Sequence, residues 1–208
     1  MGAVAQTLRT ERMNAFSDGV FSIAATLLVL ELAIHPPGTP LDQVLHEWPA
    51  YLAYVISFLT IGGAWLGHNA ITDRLTHADP LLLRINLLLL LVVALLPFPT
   101  KLIAEALDDT SGERVFVTMY GLTLLAIRLF IFALDAYARR VRLYSDDQAD
   151  EDLATERRTL WPVLAAYVAA ILIGLALPTL AVGLYFALAL YLVVPFRDLR
   201  RLLHTART

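Results

Sequence analysis

This chain of 208 residues predicts an all-α integral membrane protein with six transmembrane helices, and three observations carry that reading. First, 58% of its residues are hydrophobic, only 17% are charged, and the mean hydropathy is +0.65. Soluble domains run at about 45–50% apolar and about 25% charged, so this surplus exceeds what one buried core beneath a polar surface accommodates. Second, long apolar runs recur, separated by short segments that are polar or carry Pro and Gly, as in His35-Pro36-Pro37-Gly38. Third, Lys and Arg fall very unevenly among those segments. The same numbers argue against a soluble enzyme. Net charge −3 and pI about 5.9 supply no basic footprint for nucleic acid. No cysteine is present, which removes disulfide frameworks, thiolate nucleophiles and thiolate metal sites.

A helix needs about 20 mostly apolar residues to cross the hydrocarbon layer. The first such run is Met13 to Ile34. Arg9, Glu11 and Arg12 precede it and no small-residue cleavage site follows, so it reads as a retained helix and not a signal peptide. The second runs from about Trp48 to Ile71, with Gly62 and Gly63 permitting close packing. The third, about Pro80 to Ala104, carries Pro97 and Pro99 near its end, which predicts a kink or early termination. The fourth, about Val115 to Ala138, holds Arg128 inside it, and Asp135, two turns on along the same face, or another helix is expected to pair with it. Without Arg at every third position, it does not read as a voltage sensor. The remaining apolar stretch is too long for one span, and Pro178 divides it into Leu160–Leu177 and Thr179–Phe196. Trp48, Trp65 and Trp161 lie near helix ends and read as interface anchors. Between the fourth and fifth spans, Asp146, Asp147, Asp150, Glu151, Asp152 and Glu156 mark a solvated linker or short amphipathic helix without calcium-loop spacing. There is no internal repeat, so residues 1–208 form a single six-helix unit.

Orientation follows the positive-inside rule. With the N-terminus in the cytoplasm, the inner segments hold Arg9, Arg12, Arg74, Arg84, Arg139, Arg140, Arg142, Arg157, Arg158, Arg197, Arg200, Arg201 and Arg207. The outer segments hold only Lys101 and Arg114. Both termini are therefore expected in the cytoplasm of a cell whose plasma membrane holds the protein.

The first helix carries the most information. At about 100° per residue, Ile23, Leu27, Leu30 and Ile34 fall on one stripe, extended inward by Gly19 and Phe16 and bordered by Thr26. Plain helix packing or lipid contact would also produce such a stripe. Asp18 lies nearly opposite, and an intramembrane carboxylate is costly and usually paired or functional. Glu31 sits on a flank near the outer end, as a mouth carboxylate or as an off-axis interfacial anchor. The topology brings Arg12, Ser17, Asp18, His68 and Asn86 to one depth, where amide, hydroxyl and basic groups would offset desolvation of the carboxylate. This layer reads as a structural brace. Neither a clustered second His nor a His-x-x-x-His spacing supports a metal site.

Arg12, three residues, then Phe16-Ser17-Asp18 at the start of the first helix resembles the Arg-x-x-x-Phe-Ser-Asp motif of the transmembrane protein 175 family, the lysosomal-type potassium channels. The run Ser22-Ile23-Ala24-Ala25-Thr26-Leu27-Leu28-Val29-Leu30 strengthens the resemblance, and the length fits the single-repeat prokaryotic members. The resemblance implies a homotetramer in which four first helices line a central pore, with no re-entrant pore loop. It implies a constriction at Ile23, Leu27 and Leu30, and selectivity contributions from the hydroxyls of Ser22 and Thr26. It also places Phe16 with Arg12, Ser17 and Asp18 in a hydrogen-bond network. A hydroxyl bonded to the backbone one turn earlier is the ordinary alternative for Ser22 and Thr26, and the two readings coexist.

The expected function is therefore a potassium-permeable cation channel with modest K⁺ over Na⁺ selectivity. The expected partners are K⁺, the lipid bilayer and further copies of this chain, with no cofactor, metal or catalytic residue. A proton- or ion-coupled transporter is the alternative, with Asp18, His68 and Arg128 as carriers. The missing repeat and the lack of broken helices weigh against it. An integral-membrane enzyme lacks any plausibly spaced Ser–His, paired-carboxylate or ligand set.

Overall fold

A computed structural model of the chain describes residues 10–32, 39, 41, 47–108, 113–144 and 151–194, with side chains at 106–108 and 151–160 left aside. Ile34, Asp146, Asp147 and Asp150, Arg9 and the basic residues beyond 194 lie outside the described residues. The described residues form α1 (Thr10–Leu27) with a 3₁₀ turn at Leu28–Glu31, α2 (Trp48–Thr72), α3 (Pro80–Leu95), α4 (Pro97–Asp108), α5 (Glu113–Arg140), α6 (Glu151–Gly174) and α7 (Pro178–Val193). Among the described residues, four stretches are long and apolar enough to cross a membrane: Thr10–Glu31, Trp48–Thr72, Pro80–Glu105 and Glu113–Arg140. Trp161–Gly174 and Pro178–Val193 are shorter apolar helices.

Local chemistry explains the boundaries. Asp79 caps α3 by accepting from the Leu82 amide at 2.7 Å, and Pro80 sits in the first turn where its missing N–H costs nothing. The third apolar run breaks at Leu96. Pro97 and Pro99 cannot donate to the carbonyls one turn earlier, and Leu96 N instead turns tightly onto Val93 O at 3.1 Å. A buried hydroxyl chain anchors the break. Thr100 Oγ1 donates to Leu96 O at 2.7 Å, and Ser57 Oγ joins Thr100 and Tyr120 at 2.7 and 2.8 Å. Since the Thr100 proton is committed, Ser57 donates to Thr100 and Tyr120 donates to Ser57. The helix expected from Leu160 begins earlier, at Glu151, and runs through Pro162.

α2 and α5 form the middle of the bundle. α2 packs on α1, α4, α5 and α7, and α5 packs on α3, α4, α6 and α7. By contrast, α1 packs chiefly on α2 and α3, at the edge. One core cluster joins Met13 at the start of α1, Ile71 at the end of α2, Leu82 at the start of α3 and Ala138 at the end of α5. α1, α2, α3 and α5 therefore alternate in direction, and Arg12, Arg74, Arg84, Arg139, Arg140 and Arg142 belong to one end of the bundle. At that end the α2–α3 loop is clamped to the chain after α5: Leu75 bridges Tyr144, and Thr76 N donates to Leu143 O at 2.9 Å. α5 closes with Arg142 at φ 56, Leu143 N bonded back to Ala138 O and Arg142 N to Arg139 O, a Schellman closure with Arg where glycine is commoner.

Gly121 has no room for a side chain. A Cβ there would stand 2.1 Å from Tyr185 Oη and 2.8 Å from Ile171. Of the glycine pair in α2, only Gly63 is closely packed, and Gly62 has open space.

Candidate functional site: the uncovered face of the first helix

α1 buries Met13, Ser17, Phe21 and Ala24, and Leu28 continues this face into the 3₁₀ turn. The spacing of four, four, three and four keeps them on one side, against α2 and α3. Among the described residues, none covers the opposite side. Ile23 is 60% exposed, Leu30 72% and Leu27 41%, and Phe16 is exposed below them. At Gly19 a Cβ would meet nothing within 4 Å. In the 3₁₀ turn residues three apart eclipse, so Leu30 stands nearly above Leu27. Glu31, at the end of that turn, is half-buried.

Ser22 and Thr26 are exposed beside this ladder. Thr26 Oγ1 donates to Ser22 O at 3.1 Å and Ile23 O at 2.9 Å. Its proton thus points into the helix and its lone pairs face outward, the polarity a cation reads.

Two ties hold α1. In the first, Asn86 Nδ2 donates to Ser17 Oγ at 2.9 Å, and Ser17 donates to Met13 O at 2.8 Å. Asn86 Oδ1 pairs with His68 Nε2 at 2.9 Å, so Nε2 carries the proton, while no described residue completes a hydrogen bond to the buried Nδ1. Phe21 packs on the His68 ring with centroids 5.5 Å apart. The second tie is Trp65 Nε1 to Asp18 Oδ1 at 2.8 Å. The structure thus joins Ser17, His68 and Asn86 directly and sends Asp18 to Trp65. Arg12 and Phe16 are exposed and stand outside both ties. Trp65, read from sequence as an interface anchor, is a partner of the motif carboxylate. The available signal was its indole N–H, which on an apolar helix needs an acceptor.

Of the two partners expected for Arg128, Asp135 or another helix, Asp135 is not taken. Arg139 Nε takes Asp135 Oδ2 at 2.8 Å and the Tyr144 hydroxyl takes Oδ1. Arg128 instead lies over Gly63.

Fold and face together define an all-helical integral membrane protein whose N-terminal helix leaves an aliphatic and hydroxyl stripe uncovered. Residues 12–97 match the family of the endosomal/lysosomal potassium channel TMEM175. A potassium channel of Streptomyces collinus is 37% identical over 150 residues, covering 71% of this chain and 73% of that one. A potassium channel of Chamaesiphon minutus is 36% identical over 191 residues, covering 88% and 92%. The crystal structure of a lysosomal potassium-selective channel TMEM175 homolog from Chamaesiphon minutus superimposes with a TM-score of 0.77 at 33% identity, covering 88% of this chain and 95% of that one. The chain belongs to the TMEM175 family.

Proposed function

We propose that the protein is a potassium-permeable channel of a prokaryotic plasma membrane, a homotetramer whose pore is lined by α1 of each subunit. The observation that carries this reading is the ladder of Ile23, Leu27 and Leu30 left exposed on an edge helix, with Ser22 and Thr26 beside it. The relatives named potassium channels support the permeant ion. Each chain contributes one six-span unit with both termini inside, no re-entrant loop and no enzymatic chemistry.

Four Ile23 side chains around an axis make a dry ring, and ring width decides whether water and ions enter. Small rotamer or helix rotations open such a ring. K⁺ gives up less hydration energy than Na⁺ on squeezing through, and Thr26 lone pairs replace part of the lost water. Selectivity is therefore modest, below that of a filter lined by carbonyls. Leu27 and Leu30 extend the apolar path outward. Glu31 carboxylates near the mouth raise the local cation concentration. Ser17, Asp18, His68 and Asn86 position α1 against α2 and α3 and take no part in conduction. Arg12 and Phe16 stand at the inner end of the stripe.

Proton permeation is a second reading, favoured by animal relatives. The endosomal/lysosomal proton channel TMEM175 of Gallus gallus is 31% identical over 142 residues, 63% of this chain and 28% of that protein. Liposomes holding the purified protein, with K⁺, Na⁺ and H⁺ gradients imposed separately, test both. Passive K⁺ current exceeding Na⁺ current is the expected result. K⁺ movement only when coupled to a proton gradient would show a transporter instead.

A further inference from the structure

Arg128 lies midway along α5, in a stretch apolar enough to cross a membrane, and is only 8% exposed. Among the described residues, no hydrogen-bond acceptor meets its buried Nε and Nη2. The Tyr167 hydroxyl on α6 is drawn toward Arg128 but is not close or aligned enough to complete a hydrogen bond, and no other described group takes its proton. Nη2 stands 3.1 Å from the place a Cβ on Gly63 of α2 would take, beside Leu192 and Val193 at the end of α7. The described side chains of α2, α6 and α7 include no Asp or Glu, and Asp135 is engaged by Arg139 and Tyr144.

A guanidinium in this setting is strongly disfavoured unless something carries the opposite charge. The end of α7 offers about half a negative charge, but no acceptor among the described residues reaches Nε or Nη2. These two atoms form the side-on edge of the guanidinium, the edge that grips an anion with two parallel N–H bonds. A water molecule there would accept both bonds and leave the charge uncompensated. A small anion accepts both bonds, takes a third from Tyr167, and neutralises the charge.

We propose that Arg128 and Tyr167 form a buried site for a small monovalent anion of the halide class, held between α2, α5, α6 and α7 as a structural counter-ion. The site uses no residue of α1 and does not rest on the conduction reading, which ion currents test separately.

The test is thermal unfolding of the purified full-length protein in detergent, in KCl, KBr and potassium gluconate at equal ionic strength. Gluconate, far larger than a halide, is the comparison anion. The expected result is a Tm about 5 °C higher in either halide, saturating with halide concentration as ligand binding requires. Tyr167→Phe should weaken the halide effect severalfold, and Arg128→Met should abolish it. Equal wild-type Tm values in all three salts would overturn the proposal, as would a halide effect undiminished in Tyr167→Phe and Arg128→Met. Should Arg128→Met fail to fold, crystals of the wild type grown in bromide decide. An anomalous peak against Nε and Nη2 supports the site, and none there overturns it.

Discussion

Single residues set what the uncovered face of α1 presents. In the proposed tetramer, Ile23→Asn would replace an aliphatic ring with amides that hold water, so the pore should widen and K⁺ over Na⁺ permeability should fall toward unity, as reversal potentials in mixed salts would read. Unchanged selectivity would remove Ile23 from the constriction. Asn86 is the hinge of the buried chain from Ser17 to His68. Interhelical hydrogen bonds in membranes are worth about 0.6 kcal/mol on average and up to about 1.7. Asn86→Ala breaks two, so a loss of about 1–3 kcal/mol is expected, read as a Tm decrease of several degrees. Gly121→Ala should be worse, because its Cβ meets Tyr185 Oη at 2.1 Å and the ring carbon at 2.7 Å. Partial recovery of folded yield in the double variant Gly121→Ala, Tyr185→Leu would identify the clash as the cause. The stripe on α1 was legible from helical spacing alone, because period is local. The Gly121 contact was not, since nothing local says which tyrosine arrives.

At the scale of elements, α1 is held by two ties of different kind. The Trp65–Asp18 bond lies on the exposed side and the Ser17–Asn86–His68 chain on the buried side. Trp65→Phe and Asp18→Asn should each loosen α1 against α2 and reduce the fraction of assembled protein on size-exclusion chromatography, while leaving helix content by circular dichroism unchanged. Full assembly in both variants would show that the tie is dispensable. The break between α3 and α4 follows from Pro97 and Pro99 and was legible in advance. The hydroxyl anchor of Ser57, Thr100 and Tyr120 was not, since it joins residues far apart in sequence. The turn after α5 places Arg142 at a left-handed angle, which costs an L-residue about 1 kcal/mol. Arg142→Gly should therefore raise Tm by a few degrees, and a decrease would mean that the Arg side chain contributes more than its backbone costs.

For the whole molecule, a stripe on one edge helix encloses nothing in a single chain. A subunit count of four by native mass spectrometry in detergent is the expected result, and a stable monomer would rule out a central pore built from α1. Amino-acid order alone determined the membrane class, the helix-forming runs, the proline break and the aliphatic ladder, because hydropathy and helical period depend only on neighbours along the chain. Tertiary structure decided which side of α1 stays uncovered, that Asp18 meets Trp65, and that Asp135 goes to Arg139 and Tyr144 while Arg128 turns toward Gly63 and Tyr167. The physical reason is competition: each buried polar group takes the partner that packing brings within about 3 Å, and packing is a property of all the helices together.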